Sequence, residues 1–499
     1  LKKPYLKPNK MQITKLFIKK YKIFENFEID FQKNISIVIG INGSGKSTIL
    51  ESIAQIFSDA FRNEKTKFQF RLEYELRLEE ILEQTTTTSD FKTDYIKVEI
   101  FNNKENAAQE YIVNSKKLNR EQIAEIYGSF ERILPSNIVI YYSGQSQIME
   151  RVCEPFNKEL SSNLRSENKH LDRPFLYYEP NLFGTILLSL LSYEFGDVPD
   201  FLQKIAKIRS VASVKINLRK PKWAKKKNNE FWGAEGEVEL LLRFLESLEQ
   251  PLDSVPFADS KLGNVVMEAW EDTVLNITIL GAEMIYSTRE YFVEEKRLFE
   301  ILNTLIIDGF QPEFAFTFKN NDDVQFTQLS EGEQQLIIAK GLIELSGKEN
   351  TLFLFDEPDT YLHPSWQRKY IELINNNISE DNTSHFIITT HSPQLLSNSD
   401  NEYSEVKIVE NAKVLNHTPN YYGKDISTIL YELMNVEERI PEVTKMLTVL
   451  FGLIENENLN ESKKKYDELV KLLGTDDPEL INAKIQIDYL ESDLDEENK

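Results

Sequence analysis

The apolar positions of this chain follow two kinds of pattern. Short runs that are apolar almost throughout, 35–39, 138–142, 351–355 and 385–388, predict strands buried on both faces, as in a parallel sheet. The stretch from Ile13 to Phe31 alternates instead, which predicts two antiparallel strands. Elsewhere the period is helical. Leu298, Ile301, Leu302, Leu305 and Ile306 share one face. Towards the end, Val443, Met446, Leu447, Leu450, Phe451 and Ile454 form one stripe, and Tyr466, Leu469, Val470 and Leu473 form another. Gly474 predicts the end of that helix, with Asp476 or Asp477 capping the next and Pro478 in its first turn. No heptad persists over about three or four repeats, so a long coiled-coil arm is not expected.

The run Ile35–Ile39 leads directly into Gly40-Ile41-Asn42-Gly43-Ser44-Gly45-Lys46-Ser47, the P-loop pattern. Glycines at Gly40, Gly43 and Gly45 let backbone N–H groups, with Asn42 and Ser44 between them, turn towards phosphates. Lys46 reaches the β- and γ-phosphates, and the Ser47 hydroxyl is placed for Mg²⁺. From Thr48 the chain reads as a helix whose N-terminal dipole faces the anion. ATP and Mg²⁺ are the expected ligands.

The second half of the chain narrows the class. Leu329-Ser330-Glu331-Gly332-Glu333-Gln334-Gln335 reads as a helix start with a serine cap and a glycine that permits close approach of a phosphate. Ser330 with Glu333 is also an ordinary capping box, and both readings can hold for the same residues. The segment resembles the ABC signature motif, and the resemblance places Ser330, Gly332 and Glu333 against the γ-phosphate held by an opposite subunit. The strand Thr351–Phe355 ends in Asp356-Glu357. Asp356 would hold Mg²⁺, and Glu357 would orient or deprotonate the attacking water. Such a pair is costly at the end of a buried strand without that role. After the run 385–388, His391 sits where the family places its switch histidine. Pro358-Asp359-Thr360-Tyr361-Leu362-His363-Pro364 resembles the D-loop of ABC ATPases outside the transporter group, with Asp359 where Glu is more usual. Gln145, after the strand Ile138–Tyr142, is the residue expected to meet the metal and nucleotide; Gln147, or a plain polar turn with no such role, is the alternative.

The expected fold class is therefore α/β: an ABC-ATPase head of the P-loop NTPase type, with a compact helical insertion and a C-terminal helical unit. Its N-terminal lobe spans 1–150, a mainly helical insertion 151–312, the C-terminal lobe 313–420, and a helical unit with an acidic tail 421–499. A chain of 499 residues accommodates this division.

Composition then limits the partners. The net charge of −23 excludes a uniformly basic nucleic-acid surface but not a local patch. One such patch runs from Lys215 to Lys227 around Trp223. It reads either as a phosphate-backbone and base-stacking contact or as a solvated loop with Trp223 tucked against the domain. The single cysteine, Cys153, excludes a disulfide framework and a Cys-x-x-Cys zinc hook. The apolar run 183–191 is shorter than the about 18–20 residues of a membrane span, and Leu1-Lys2-Lys3-Pro4 opens no secretory leader, so a cytoplasmic protein without membrane contact is expected.

The compact insertion, the tail opening Tyr422-Gly423-Lys424-Asp425-Ile426 and the segment from Leu473 to Leu480 together look like the ATPase subunits of bacterial Septu-type anti-phage systems; similar ATPases occur beside some retrons. That resemblance implies ATP hydrolysis, a homodimer or higher oligomer formed through the heads, an HNH-type nuclease partner and nucleic acid as target. Nuclease chemistry is expected on the partner. After His391 the only Asp-x-Asp is Asp493-Leu494-Asp495, and the chain has five histidines with no His-Asn-His cluster. The alternative is a RecF- or SMC-like DNA repair or DNA-structure ATPase without a nuclease partner.

Overall fold

The computed structural model describes residues 11–78, 95–144, 146–164, 173–224, 230–249, 264–270, 273–319, 329–347, 349–377, 384–399, 403–415, 421–434 and 439–497. The threonine-rich loop 84–90, Gln145 and the lysines 225–227 lie outside the described residues. The chain divides into two compact units, residues 1–424 and 425–499. Among the described residues no helix is long and apolar enough to cross a membrane.

The first unit is built on a seven-stranded sheet ordered Lys413–Val414, Ser404–Glu410, Ile35–Ile39, His385–Thr390, Thr351–Asp356, Asn137–Tyr142 and Phe175–Tyr177. All neighbours pair in parallel except the first two. The four central strands are the four apolar runs of the sequence, and Ile35–Ile39, Thr351–Asp356 and His385–Thr390 are buried at every position, as a sheet covered on both faces requires. A second, six-stranded sheet contains the alternating pair Gln12–Tyr21 and Phe24–Asp30, in antiparallel register with Lys15 opposite Asp30. Between the sheets runs the helix Lys46–Arg62, whose Ile49, Leu50, Ile53 and Phe57 pack with Leu16, Ile18, Leu72 and Tyr74 in one core.

The middle segment differs from the expected mainly helical insertion. Leu298 to Ile306 do form a helix, Glu295–Ile307, but Val211–Arg219, Asn264–Trp270 and Val274–Leu280 are strands of a four-stranded antiparallel sheet. Val211–Arg219 has Val214, Ile216 and Leu218 buried with Lys215 and Arg219 exposed, an alternation that the basic composition of the stretch obscures. Glu313–Phe318, expected to reopen the head, completes this sheet beside Val211–Arg219; the head sheet resumes only at Thr351.

In the second unit, helices Pro441–Glu455, Leu459–Leu473 and Pro478–Glu497 bury the two predicted stripes against Leu480, Ala483 and Ile487. Gly474 closes the middle helix at φ 91°, and the cap of the next is Asp477, whose Oδ1 accepts from the amides of Glu479 and Leu480 at 3.1 and 3.3 Å. Arg439 grips the same carboxylate at 2.7 and 3.0 Å. The acidic residues read as a tail belong to this last helix, which extends to Glu497.

The head sheet is fastened at its far end by a histidine. His385 is fully buried, and its Nδ1 accepts the Ile13 amide at 3.1 Å, which leaves the ring proton on Nε2. Burial pushes its pKa down to about 3. The unfolded chain therefore binds a proton below its ordinary value, about 6.5, that the folded chain refuses. Stability from this group is full above that value and falls by about 1.4 kcal/mol per pH unit down to the folded value. His385→Asn keeps an acceptor for Ile13 and loses the titration. Its urea unfolding curves are expected to show a shallower loss of stability between pH 6.5 and 4 than the wild type; parallel slopes would contradict the account.

Candidate functional site

The carboxyl ends of adjacent parallel strands are where an open α/β sheet places its ligands. Here Ile39 lies opposite Thr390 and Thr389 opposite Asp356, so the residues just beyond these strands converge. They are the P-loop after Ile39, Glu357 after Asp356, and His391 after Thr390.

The P-loop turns into its helix at Gly45, with φ 111°. A Cβ there would stand 2.5 Å from Cε1 of Phe24, so both backbone and packing demand glycine. Lys46 is 5% exposed, and its Nζ donates to the carbonyl of Gly40 at 2.9 Å and to that of Ile41 at 3.4 Å. Burial lowers its pKa, opposed by the charges of Glu357 and Asp356. Nζ also lies 2.9 Å from His391 Nε2, which lies 2.9 Å from Glu357 Oε1. Lys46, His391 and Glu357 thus form one polar chain across three strand ends.

The adjacent carboxylates Asp356 and Glu357 are set apart by their surroundings. Burial raises the pKa of Asp356, partly offset by hydrogen bonds from Thr389 and Ser47. Glu357 is held below its ordinary value, chiefly by its hydrogen bond with His391. Its backbone is left-handed, φ 49°, and its amide donates to Thr389 O at 3.0 Å. A non-glycine residue there is strained, and the turn that aims Glu357 at His391 holds it in place.

The groups present fit a polyphosphate. The first turn of helix Lys46–Arg62 has no side-chain cap, and Ser44 Oγ is buried without a hydrogen-bond partner. Both are unmet donors of the kind that phosphate oxygens accept from. Ser47 and Asp356 supply hard oxygens suited to Mg²⁺. Asn42 and Gly43 are exposed at the loop tip, and Thr48 is buried in the first helical turn. Gln147, the alternative to Gln145, opens the helix Gln147–Leu164.

Ser330 stands apart from this cluster. It caps the helix Glu331–Ser346 in a full capping box: its Oγ accepts the Glu333 amide at 3.3 Å, and its own amide donates to Glu333 Oε2 at 2.8 Å. The exposed helix start abuts the D-loop, where a Cβ on Gly332 would come 3.2 Å from Tyr361 O. Trp223 follows the tucked reading: its Nε1 donates to Asp308 O at 2.6 Å and its ring meets that of Phe310 at 6.0 Å. Arg219 is paired with Glu313 at 2.6 Å.

Several polar residues escaped the sequence reading. Gln335, buried on the signature helix, accepts the Tyr361 amide at 3.1 Å and donates to Tyr141 OH at 3.2 Å. Thr390 Oγ1 lies 2.9 Å from both Asp359 oxygens and accepts the Ser392 amide at 2.9 Å. Gln367 Nε2 donates to Asp359 O at 3.0 Å. The available signal was the hydroxyl pair Thr389-Thr390 at the end of an otherwise apolar strand.

A family model described as RecF/RecN/SMC N terminal domain matches residues 12–414. A retron Vc95 probable ATPase of Vibrio cholerae serotype O1 biovar El Tor is 25% identical, over 93% of this chain and 84% of that protein. A retron Ec83 probable ATPase of Escherichia coli is 22% identical, over 97% of this chain and 88% of that protein. The Septu protein PtuA of Bacillus thuringiensis is 29% identical over 36% of this chain and 42% of that protein.

Burial raises the pKa of Asp359 to about 6, with the Thr390 hydrogen bond opposing. The folded chain keeps this proton after the unfolded chain has lost it, so stability is greatest below the unfolded pKa and falls as pH rises through about 6. Asp359→Asn keeps an oxygen for Thr390 and removes the charge. It is expected to gain roughly 1–3 kcal/mol at pH 8 and much less at pH 4. Thermal unfolding at the two pH values checks this; an equal change at both would contradict it.

Proposed function

This chain belongs to the RecF/RecN/SMC N-terminal domain family, and from that membership we propose that it is the ATP-binding and ATP-hydrolysing subunit of a bacterial anti-phage defence complex, controlling a partner HNH-type nuclease that acts on nucleic acid. The observation that carries the ATPase reading is the polar chain Lys46–His391–Glu357 beside Asp356, across the ends of adjacent strands. The defence reading draws support from the likeness to the retron ATPases along nearly the whole chain and to PtuA over part of it.

Lys46 and the P-loop amides bind and orient the triphosphate. A Mg²⁺ held by Ser47 and Asp356, with Gln145 at its side, would offset charge on the phosphate oxygens. In the structure His391 Nε2 is shared between Lys46 and Glu357. A γ-phosphate competes for Lys46 and His391, which releases Glu357 Oε1 to accept a proton from the attacking water. Before that release, the hydrogen bond with His391 holds the Glu357 pKa below its ordinary value, so the carboxylate is already ionised when nucleotide arrives. The serine-capped helix start at Ser330 is exposed, as a contact to nucleotide on a second copy needs, so the active unit is a homodimer of heads.

The second unit is the proposed docking site for the nuclease. Ile481, Ile485 and Tyr489 fall four residues apart on its last helix and are 47%, 64% and 68% exposed, an apolar stripe suited to a partner.

Glu357→Gln is expected to bind ATP as tightly as the wild type while turnover falls at least about 100-fold, whereas Lys46→Ala loses binding itself. Phosphate release and nucleotide-binding assays separate the two, and wild-type turnover in Glu357→Gln would remove the assignment. Mixing Lys46→Ala with Ser330→Arg subunits is expected to restore part of the activity, because one interface of the mixed dimer keeps two intact halves. Deleting residues 425–499 is expected to leave ATP binding measurable and abolish co-purification of the neighbouring gene's nuclease. Retention of the nuclease would move the docking site to the middle segment.

A further inference from the structure

At the opposite end of the head sheet from the P-loop, a second set of polar groups has no partners. A cavity of about 60 Å³ lies at the N-terminal ends of strands Asn137–Tyr142 and Phe175–Tyr177, against helix Glu295–Ile307 and the last turn of helix Glu331–Ser346. Arg173 Nε and Nη1, Asn137 Oδ1, Asn303 Oδ1 and Ser346 Oγ line it, all buried and without a hydrogen-bond partner. Asn137, Asn303 and Ser346 are only 6%, 4% and 4% exposed. Two of the side chains are pinned. Asn137 Nδ2 donates to Ser346 O at 2.9 Å, which leaves its Oδ1 free, and Arg173 Nη2 donates to Asn157 Oδ1 at 2.9 Å.

The charges point to what belongs there. Glu237 and Glu300, also lining the cavity, both hold Arg297. Arg173 forms no ion pair among the described residues. The nearby Cys153 thiol is pushed up to about 12 by burial and stays neutral, and Glu179 acts on Arg173 only from beyond ion-pair distance. Arg173 is itself lowered by burial to about 10, so it remains a cation at neutral pH. A buried guanidinium with two unmet N–H groups is costly unless an anion answers it. A water needs roughly 10–15 Å³ of such space, so this volume holds about four waters or one tetrahedral oxyanion.

We propose that this cavity binds inorganic phosphate, at a site separate from the P-loop. Phosphate oxygens accept from Arg173 Nε and Nη1 and from Ser346 Oγ. The hydroxyl of hydrogen phosphate donates to Asn137 Oδ1 or Asn303 Oδ1, a pairing that a fully deprotonated oxyanion cannot make. Ser346 ends the helix that Ser330 begins, so an ion here ties the base of the signature helix to Arg173 and to the middle segment.

Because phosphate can also enter the P-loop, the test uses the full chain carrying Lys46→Ala. At about 20 mM, phosphate is expected to raise its thermal midpoint by roughly 2 °C or more over chloride at equal ionic strength. Adding Arg173→Met is expected to remove the response. Should that variant fail to fold, Asn303→Asp places a carboxylate in the cavity; it is expected to abolish the phosphate response and raise the midpoint measured without phosphate. Crystals soaked in arsenate, which like phosphate keeps a hydroxyl near neutral pH, are expected to show heavy-atom density between Arg173 and Ser346. The proposal is overturned by the absence of any phosphate response in Lys46→Ala, by an undiminished response in the cavity variants, or by density for water alone.

Discussion

The site depends on the parallel pairing of strand His385–Thr390 between Ile35–Ile39 and Thr351–Asp356. Three chain segments distant in sequence end side by side because these strands are buried on both faces and bring their last residues into step. A slip of one residue would turn every side chain of a strand to the opposite face. Asp356 would then lose Thr389, the hydroxyl that makes its burial tolerable, and His391 would leave its place between Lys46 and Glu357. His385, neutral at the other end of the same strand, ties it to strand Gln12–Tyr21 of the second sheet through the Ile13 amide.

Around this core the polar residues form a continuous mesh. Thr390 holds Asp359 in the D-loop, Gln367 holds the Asp359 carbonyl, and Gln335 joins the D-loop to the signature helix and to strand Asn137–Tyr142. Elements that would face a second head are thereby hydrogen-bonded to elements that would hold nucleotide in this one. A shift at Glu357 or His391 has a direct physical route, through Thr389 and Thr390, to Tyr361 and the signature helix start. The left-handed backbone of Glu357 belongs to the same logic, since a strained turn persists only where its neighbours hold it.

What was legible in the sequence was whatever a period or a fixed spacing encodes. The fully apolar runs became the central strands, the alternating stretch became the outer hairpin, and the C-terminal stripes became a helical core capped at Asp477. The P-loop pattern, the Asp356-Glu357 pair and His391 stood out in the sequence by their places directly after apolar runs, and the fold brings them together. The middle segment was less legible. Val211–Arg219 alternates, but its lysines drew attention to charge, and its partners lie far along the chain at Val274–Leu280 and Glu313–Phe318. Gln335, Thr390 and Gln367 were unreadable for a related reason. A single buried amide or hydroxyl acquires meaning only from the partner that the fold brings to it. Arg173, an unremarkable arginine in the sequence, is conspicuous only once its guanidinium is seen to be buried without a carboxylate.

The central claim is that nucleotide on one head is completed by Ser330 of another. Cys153 is buried, so cysteines placed at position 42 in one chain and position 330 in another would report that contact with little background. Both chains would carry Glu357→Gln to slow turnover. The measurement is inter-chain disulfide formation between Asn42→Cys and Ser330→Cys chains, with and without ATP. The account predicts an ATP-dependent cross-link between different chains. Cross-linking that ignores ATP, or none while ATP is demonstrably bound, would contradict it.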